Sequence, residues 1–115
     1  MNNGEGGIRH KMDLNEIRIQ MDLFVGDNGW YQVHSEKPQS AKNLSISLVL
    51  EAAELLERFQ WNDEADKNAV AEELADVILY VAQIANVMDI DLDQAVRHKL
   101  ALNRERTWVT TRMER

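Results

Sequence analysis

Apolar residues recur at three- and four-residue intervals in four segments of the chain, which is the spacing of one face of an α-helix. The pattern predicts helices over about residues 14–25, 44–60, 67–88 and 92–107. Candidate N-cap residues precede them at Asp13, Asn43, Asp66 and Asp91. The third segment is apolar on nearly every side, as expected of a central helix. The predicted fold class is therefore all-α, a four-helix bundle-like subunit.

The chain of 115 residues is short enough for one domain. We expect that domain to span residues 12–110, after a glycine-rich flexible tail at 1–11 and before a frayed C-terminus at 111–115. The long loop at 26–42 carries two adjacent aromatic residues, and loops of this length are usually functional or disordered. A chain of this size leaves much apolar surface uncovered, which favours an oligomer.

The formal charge of −7 is confined to one quarter of the chain. Residues 51–76 hold nine acidic and two basic residues, and the remainder is balanced. This charge argues against binding to a nucleic acid polymer. The chain has no cysteine, no apolar run long enough for a membrane span and no apolar signal-peptide core, so we expect a cytoplasmic protein.

Two carboxylate pairs stand within this acidic quarter. Glu51 and Glu54 share one face of the second predicted helix, and Glu73 and Asp76 share one face of the third. If these helices pack antiparallel, four carboxylates can converge, and a hard divalent cation such as Mg²⁺ or Mn²⁺ would compensate their charge. The pattern therefore indicates a candidate metal site.

Each pair also has a simpler interpretation. Glu51 and Glu54 alone are compatible with a solvated helix face. Glu73 falls on an apolar side of its helix, so it requires a metal, a catalytic role or a buried ion pair. The bases considered for that ion pair lie in the fourth helix: Arg97, Lys99, Arg104 and Arg106. A di-iron centre is disfavoured because no histidine follows a glutamate by three residues.

The ordered motifs resemble the MazG-like nucleoside triphosphate pyrophosphohydrolases, and most closely the small dCTP pyrophosphatase-type branch. The resemblance rests on the Glu-x-x-Glu and Glu-x-x-Asp pairs, on Phe59-Gln60-Trp61 and on Lys42-Asn43-Leu44. Further matches are Tyr80, Lys99, Asn103 and Arg106. The His-x-Pro that often precedes Lys-Asn-Leu in the family is replaced by Gln39-Ser40-Ala41, while His34 and Pro38 lie earlier.

The resemblance implies hydrolysis of a nucleoside triphosphate to the monophosphate and pyrophosphate, with Mg²⁺ as cofactor and a dimer or tetramer as the assembly. It implies Glu51, Glu54, Glu73 and Asp76 as metal ligands and catalytic residues. Candidate substrate-binding residues are Trp30, Lys42, Trp61, Tyr80, Lys99, Asn103 and Arg106. Two alternatives stay open: a non-catalytic helical module whose acidic face binds a basic partner, and an all-α diphosphatase of the dUTP/dUDP type.

Overall fold

The computed structural model describes the backbone of residues 12–114 and the side chains of residues 12–106. These residues form four helices and no strand, which confirms the all-α class. The helices are α1 (Leu14–Asp27), α2 (Ala41–Glu57), α3 (Lys67–Val87) and α4 (Leu92–Glu114). The predicted tail at 1–11 lies outside the described residues. No described helix is both long enough and apolar enough to cross a membrane.

Side-chain caps begin the helices close to where the sequence predicts. Asp13 accepts a hydrogen bond from the Glu16 backbone N–H at 2.8 Å, and Asp66 accepts one from the Ala69 N–H at 3.2 Å. Asp91 caps α4 through the N–H of Gln94 at 3.1 Å.

The predicted cap of α2 was wrong. The hydroxyl of Ser40, rather than Asn43, accepts the first backbone bond, so α2 begins at Ala41. This helix also ends at Glu57, three residues before the predicted end. Beyond it, the backbone N–H groups of Arg58, Phe59 and Gln60 bond carbonyls three residues back, which tightens the chain into turns.

The fourth helix is longer than predicted. It continues to Glu114 and so includes residues 111–114, which we expected to be frayed. The chain contains no glycine or proline after Pro38, so no residue type that stops a helix interrupts α4.

Helix α3 packs against both α1 and α2, whereas the substantial contacts of α4 are with α1. The buried apolar residues lie on the first three helices: Met21, Val25, Leu44, Ala82 and Ala85. No described side chain of α4 is buried. The four helices therefore do not enclose one common core, and the predicted bundle is open on the side of α4. A radius of gyration of 17.6 Å agrees, since a compact chain of this length has one of about 13 Å.

The α2–α3 pair leaves an apolar stripe uncovered. On α2 it comprises Ile46, Val49, Leu50 and Leu56, and on α3 it comprises Leu74 and Ile78, all of them exposed. The α3 part of the stripe continues into Ala82 and Ala85, which are buried. Helix α1 packs beside the C-terminal half of α3, where Arg18 is bonded to Asn86. The N-terminal half of α3 is therefore left open on this side.

A buried glutamine ties the 28–40 loop to α3. Gln83 is 0% exposed, and its side-chain N–H groups donate to the Tyr31 hydroxyl and to Gln39 Oε1, each at 3.0 Å. Its carbonyl oxygen accepts a hydrogen bond from Asn86 at 3.0 Å. Both ends of the amide are thus satisfied inside the protein, and the loop is fixed at two points along its length.

We predict that Gln83→Leu lowers the free energy of unfolding by about 1–3 kcal/mol, because it leaves part-buried polar partners without hydrogen bonds. Urea unfolding at one protein concentration measures this loss. The control is Gln20→Leu on the exposed face of α1, which should change stability by less than about 0.5 kcal/mol. Equal stability of the Gln83 variant and the wild type would contradict the structural role assigned to this amide.

Candidate metal and nucleotide site

Three carboxylates from two helices meet in the groove between α2 and α3. One oxygen each of Glu51, Glu54 and Glu73 lies within 4.8 Å of the others. The i,i+3 spacing places the first two on one face of α2, and the antiparallel course of α3 brings the third opposite them. The structure thus brings together three of the four residues predicted as metal ligands.

The fourth, Asp76, lies beside this cluster rather than within its closest group. Burial is the largest cause of an elevated pKa of Glu51, followed by the negative charge of Glu54 and then that of Asp76. The charges of the other three predicted carboxylates, Glu54, Asp76 and Glu73, thus all act on Glu51.

Glu73 is the buried member of the cluster, with only 4% of its surface exposed. Its partner is Arg58, whose Nε and Nη2 lie 2.8 Å and 2.6 Å from Glu73 Oε2. The bond to Glu73 raises the pKa of Arg58. A buried ion pair was expected as an alternative, but with a base from the fourth helix. The sequence offered one usable signal for Arg58. This residue lies in the turn between two antiparallel helices, which keeps it close to the start of α3.

The cluster fits a hard divalent cation. It offers only carboxylate oxygens, which suit Mg²⁺ or Mn²⁺. Its anionic groups are crowded and one is buried, and Arg58 is the single base paired with them among the residues whose side chains are described. A cation would remove the repulsion that one guanidinium only partly offsets.

A cavity of about 320 Å³ lies beside the carboxylates. Trp30 and Tyr80 form part of its apolar wall, together with Met21, Val25, Pro38 and Leu44. Polar groups reach it from Glu36, Lys37, Gln39, Asn43 and Ser47. Trp30 is held on two sides, since the Phe24 ring meets it edge to face at 5.5 Å and Lys37 Nζ lies 4.5 Å from its ring centroid.

The cavity and the carboxylates share one groove in a definite order. Ser47 of the cavity precedes Glu51 by four residues on α2, and Tyr80 follows Asp76 by four residues on α3. Each separation is about one helical turn, roughly 5.4 Å. The groove therefore runs from the cavity, past the four carboxylates, to Arg58 at its other end.

The other predicted substrate-binding residues lie away from this groove or on the surface. Lys99, Asn103 and Arg106 are exposed on α4, which packs against α1 rather than beside the carboxylates. Trp61 is 90% exposed in the connection between α2 and α3, and Lys42 is exposed at the start of α2. His34 is also exposed, and it is not among the residues that line the cavity.

The protein is thus an open all-α subunit in which a carboxylate cluster beside a cavity forms a candidate site for a ligand that binds with a cation. The model of the MazG-like family matches residues 46–114, and the chain belongs to this family.

Curated relatives match the chain over stretches of different length. The chain is 34% identical to dCTP pyrophosphatase 1 of Rattus norvegicus over 103 residues, which cover 81% of this chain and 58% of that protein. The human protein of the same name is 33% identical over 103 residues with the same coverage. The chain thus spans less than two thirds of the length of these relatives. A dATP/dGTP diphosphohydrolase of Cyanophage S-2L is 36% identical over 56 residues, 49% of this chain and 53% of that protein.

A solved structure has the same fold over nearly its whole length. It is a pyrophosphatase from Archaeoglobus fulgidus DSM 4304, with a TM-score of 0.67 and 32% sequence identity. The similarity covers 86% of this chain and 96% of that one.

The elevated pKa of Glu51 predicts how stability depends on pH when no metal is present. The folded state binds this proton more tightly than the unfolded chain does. The contribution of Glu51 to stability is therefore complete below the ordinary pKa of 4.5 and is lost as pH rises through the elevated value. In EDTA, we expect the wild type to lose more stability than Glu51→Gln does between about pH 4 and pH 7.

Thermal melts of both proteins across this range measure the difference. Glu57→Gln, one turn beyond the cluster on the same helix, should follow the wild type. Parallel pH profiles for the wild type and Glu51→Gln would show that the cluster does not perturb this carboxyl group.

Proposed function

We propose that this protein is a Mg²⁺-dependent nucleoside triphosphate pyrophosphohydrolase, which converts a (d)NTP and water to the (d)NMP and pyrophosphate. The observation that carries the proposal is the groove, in which a cavity with an aromatic wall adjoins a cluster of carboxylates. A triphosphate is too anionic to approach such a cluster without bound cations. The names of the rat and archaeal relatives agree with this reaction class.

In the proposed site, the base enters the cavity and the phosphates extend over the carboxylates. Trp30 and Tyr80 contact the base or sugar, and Gln39, Asn43 and Ser47 supply hydrogen bonds to polar base edges. Glu51, Glu54, Glu73 and Asp76 would hold Mg²⁺, which supplies charge neutralisation and orientation of the phosphates when bound. A carboxylate of the cluster accepts the proton of the water that attacks the α-phosphorus.

We infer a deoxynucleoside triphosphate as the substrate class and, within it, dCTP-like compounds removed from the nucleotide pool. The support is the name of the curated mammalian relatives. The phage relative carries a purine name, so base preference needs a direct comparison of substrates.

We also propose a homodimer or homotetramer whose sites combine residues of two subunits. The apolar stripe of α2 and α3 supports this assembly, because a monomer would leave it in water. The position of α4 supports it as well. Lys99, Asn103 and Arg106 of one subunit are set apart from their own carboxylates and are exposed for contact with a neighbour's substrate.

Activity should depend on the cluster and not on nearby acids. Glu54→Gln removes one proposed ligand, and we expect it to lower kcat/KM by about 100-fold or more. Glu57→Gln makes the same chemical change one turn further along α2 and should retain activity. The assay contains Mg²⁺ and each common NTP and dNTP, and it quantifies the monophosphate and pyrophosphate.

The same assay separates the alternatives. Release of inorganic phosphate, or hydrolysis of diphosphates, would favour a dUTP/dUDP-type diphosphatase. If no nucleotide is hydrolysed at high enzyme concentration and no divalent cation binds, the acidic interaction module becomes the better interpretation.

The oligomer can be tested at the apolar stripe. Val49 is exposed in the subunit, so Val49→Glu should leave the helix intact but place a charge in the proposed interface. Light scattering after size exclusion should give the wild type a mass of two or four times 13.3 kDa and give this variant a smaller mass. Gln94→Glu on α4 is the control. A wild type of 13.3 kDa would contradict the assembly.

A further inference from the structure

Arg58 has no role in the proposed reaction, yet it holds the most buried carboxylate of the site. Its Nε and Nη2 both bond Oε2 of Glu73, so one oxygen of this carboxylate is occupied by the guanidinium. The second ion pair among residues 12–106 joins Arg97 to Asp93 one turn apart on exposed α4, away from the carboxylates. Only the Arg58 pair uses a group that the metal site needs.

The surroundings of the two partners differ. The side chain of Arg58 is 45% exposed and extends from the turn that follows α2, so nearly half of it is open to water. Glu73 is buried inside α3 and cannot leave the groove without disturbing the helix pair. If the pair separates, the arginine side chain is the one that moves.

Charge gives a reason for the pair to separate. Without metal, the guanidinium is the nearest compensation for carboxylates that repel one another. A divalent cation on the same carboxylates supplies more positive charge and repels the guanidinium. The two cations therefore compete for Glu73.

We propose that Arg58 is an exchangeable counter-ion of Glu73, which it binds while the site is free of metal and releases when a divalent cation binds. This inference rests on the proposed metal site. It makes Arg58 a positioning residue that sets the cation concentration at which the carboxylate site fills. A purely orienting role would have the opposite consequence, because removal of an orienting partner weakens metal binding by about 10- to 100-fold.

The first test observes the guanidinium directly. Arginine Nε–H resonances of the ¹⁵N-labelled full-length protein are recorded while Mg²⁺ is added, and the Arg58 signal is identified by its absence in Arg58→Lys. We expect this resonance to shift toward that of a solvated arginine as the site fills. The Arg97 resonance should stay in place, because its ion pair lies away from the carboxylates. It is a matched control, since its bond to Asp93 also joins an Nε–H to a carboxylate. An Arg58 signal that stays in place at saturating Mg²⁺ would overturn the exchange.

The second test measures Mn²⁺ affinity by electron paramagnetic resonance without nucleotide. Arg58→Gln should bind Mn²⁺ about three- to tenfold more tightly than the wild type, as expected for loss of one partly exposed competing ion pair. Arg97→Gln removes the same charge and also breaks an ion pair, and it should match the wild type. Thermal melts identify any variant that does not fold. Arg58→Lys keeps the charge without the forked bond, so its Mn²⁺ affinity should fall between those of the wild type and Arg58→Gln.

The outcomes distinguish the role of Arg58 from the existence of the metal site. Unchanged or weaker Mn²⁺ binding by folded Arg58→Gln would overturn the role of Arg58 and leave the metal site standing. If the wild type binds no Mn²⁺, or if Glu73→Ala binds it as tightly as the wild type, the proposed site and the role of Arg58 are both wrong.

Discussion

Mutual repulsion among carboxylates is the main constraint on the groove between α2 and α3. The antiparallel pairing of α2 and α3 brings Glu51, Glu54 and Glu73 together, with Glu73 buried and Glu54 exposed. Such a cluster is unfavourable in isolation, and burial, followed by the charges of Glu54 and Asp76, raises the pKa of Glu51. The groove is thus held in a state that a cation improves. Stability given up at a functional site is a common arrangement, since the same groups that oppose folding provide the binding energy for a ligand.

The sequence was sufficient for the parts of the fold that depend on local chemistry. Asp13, Asp66 and Asp91 cap helices where their spacing predicts, and the convergence of Glu51, Glu54 and Glu73 follows from helical periodicity with one assumption about packing. The α2 cap was missed because Ser40 and Asn43 are both good capping residues three positions apart. Propensity alone cannot choose between them, whereas the path of the preceding loop does.

Relations between distant segments could not be read from the pattern. The partner of Glu73 was sought on the fourth helix because its cations are numerous, but the tight turn after α2 places Arg58 closer. The position of α4 against α1 was likewise outside the reach of periodicity, since an amphipathic helix indicates which face is apolar and not which neighbour it meets. Helix α4 extends to Glu114 because no residue in its last turns stops a helix.

The bonds of Gln83 have a consequence for ligand affinity. A loop of thirteen residues, 28–40, supplies much of the cavity wall, and ordering such a segment on binding would cost about 1 kcal/mol or more for each residue that loses its freedom. Here Tyr31 and Gln39 are already joined to α3 through one buried amide. Conformational entropy of the loop is therefore lost during folding rather than during capture of a ligand. A small molecule entering the cavity meets a wall that is already formed. Its contacts therefore contribute to affinity without the entropic cost of ordering the loop.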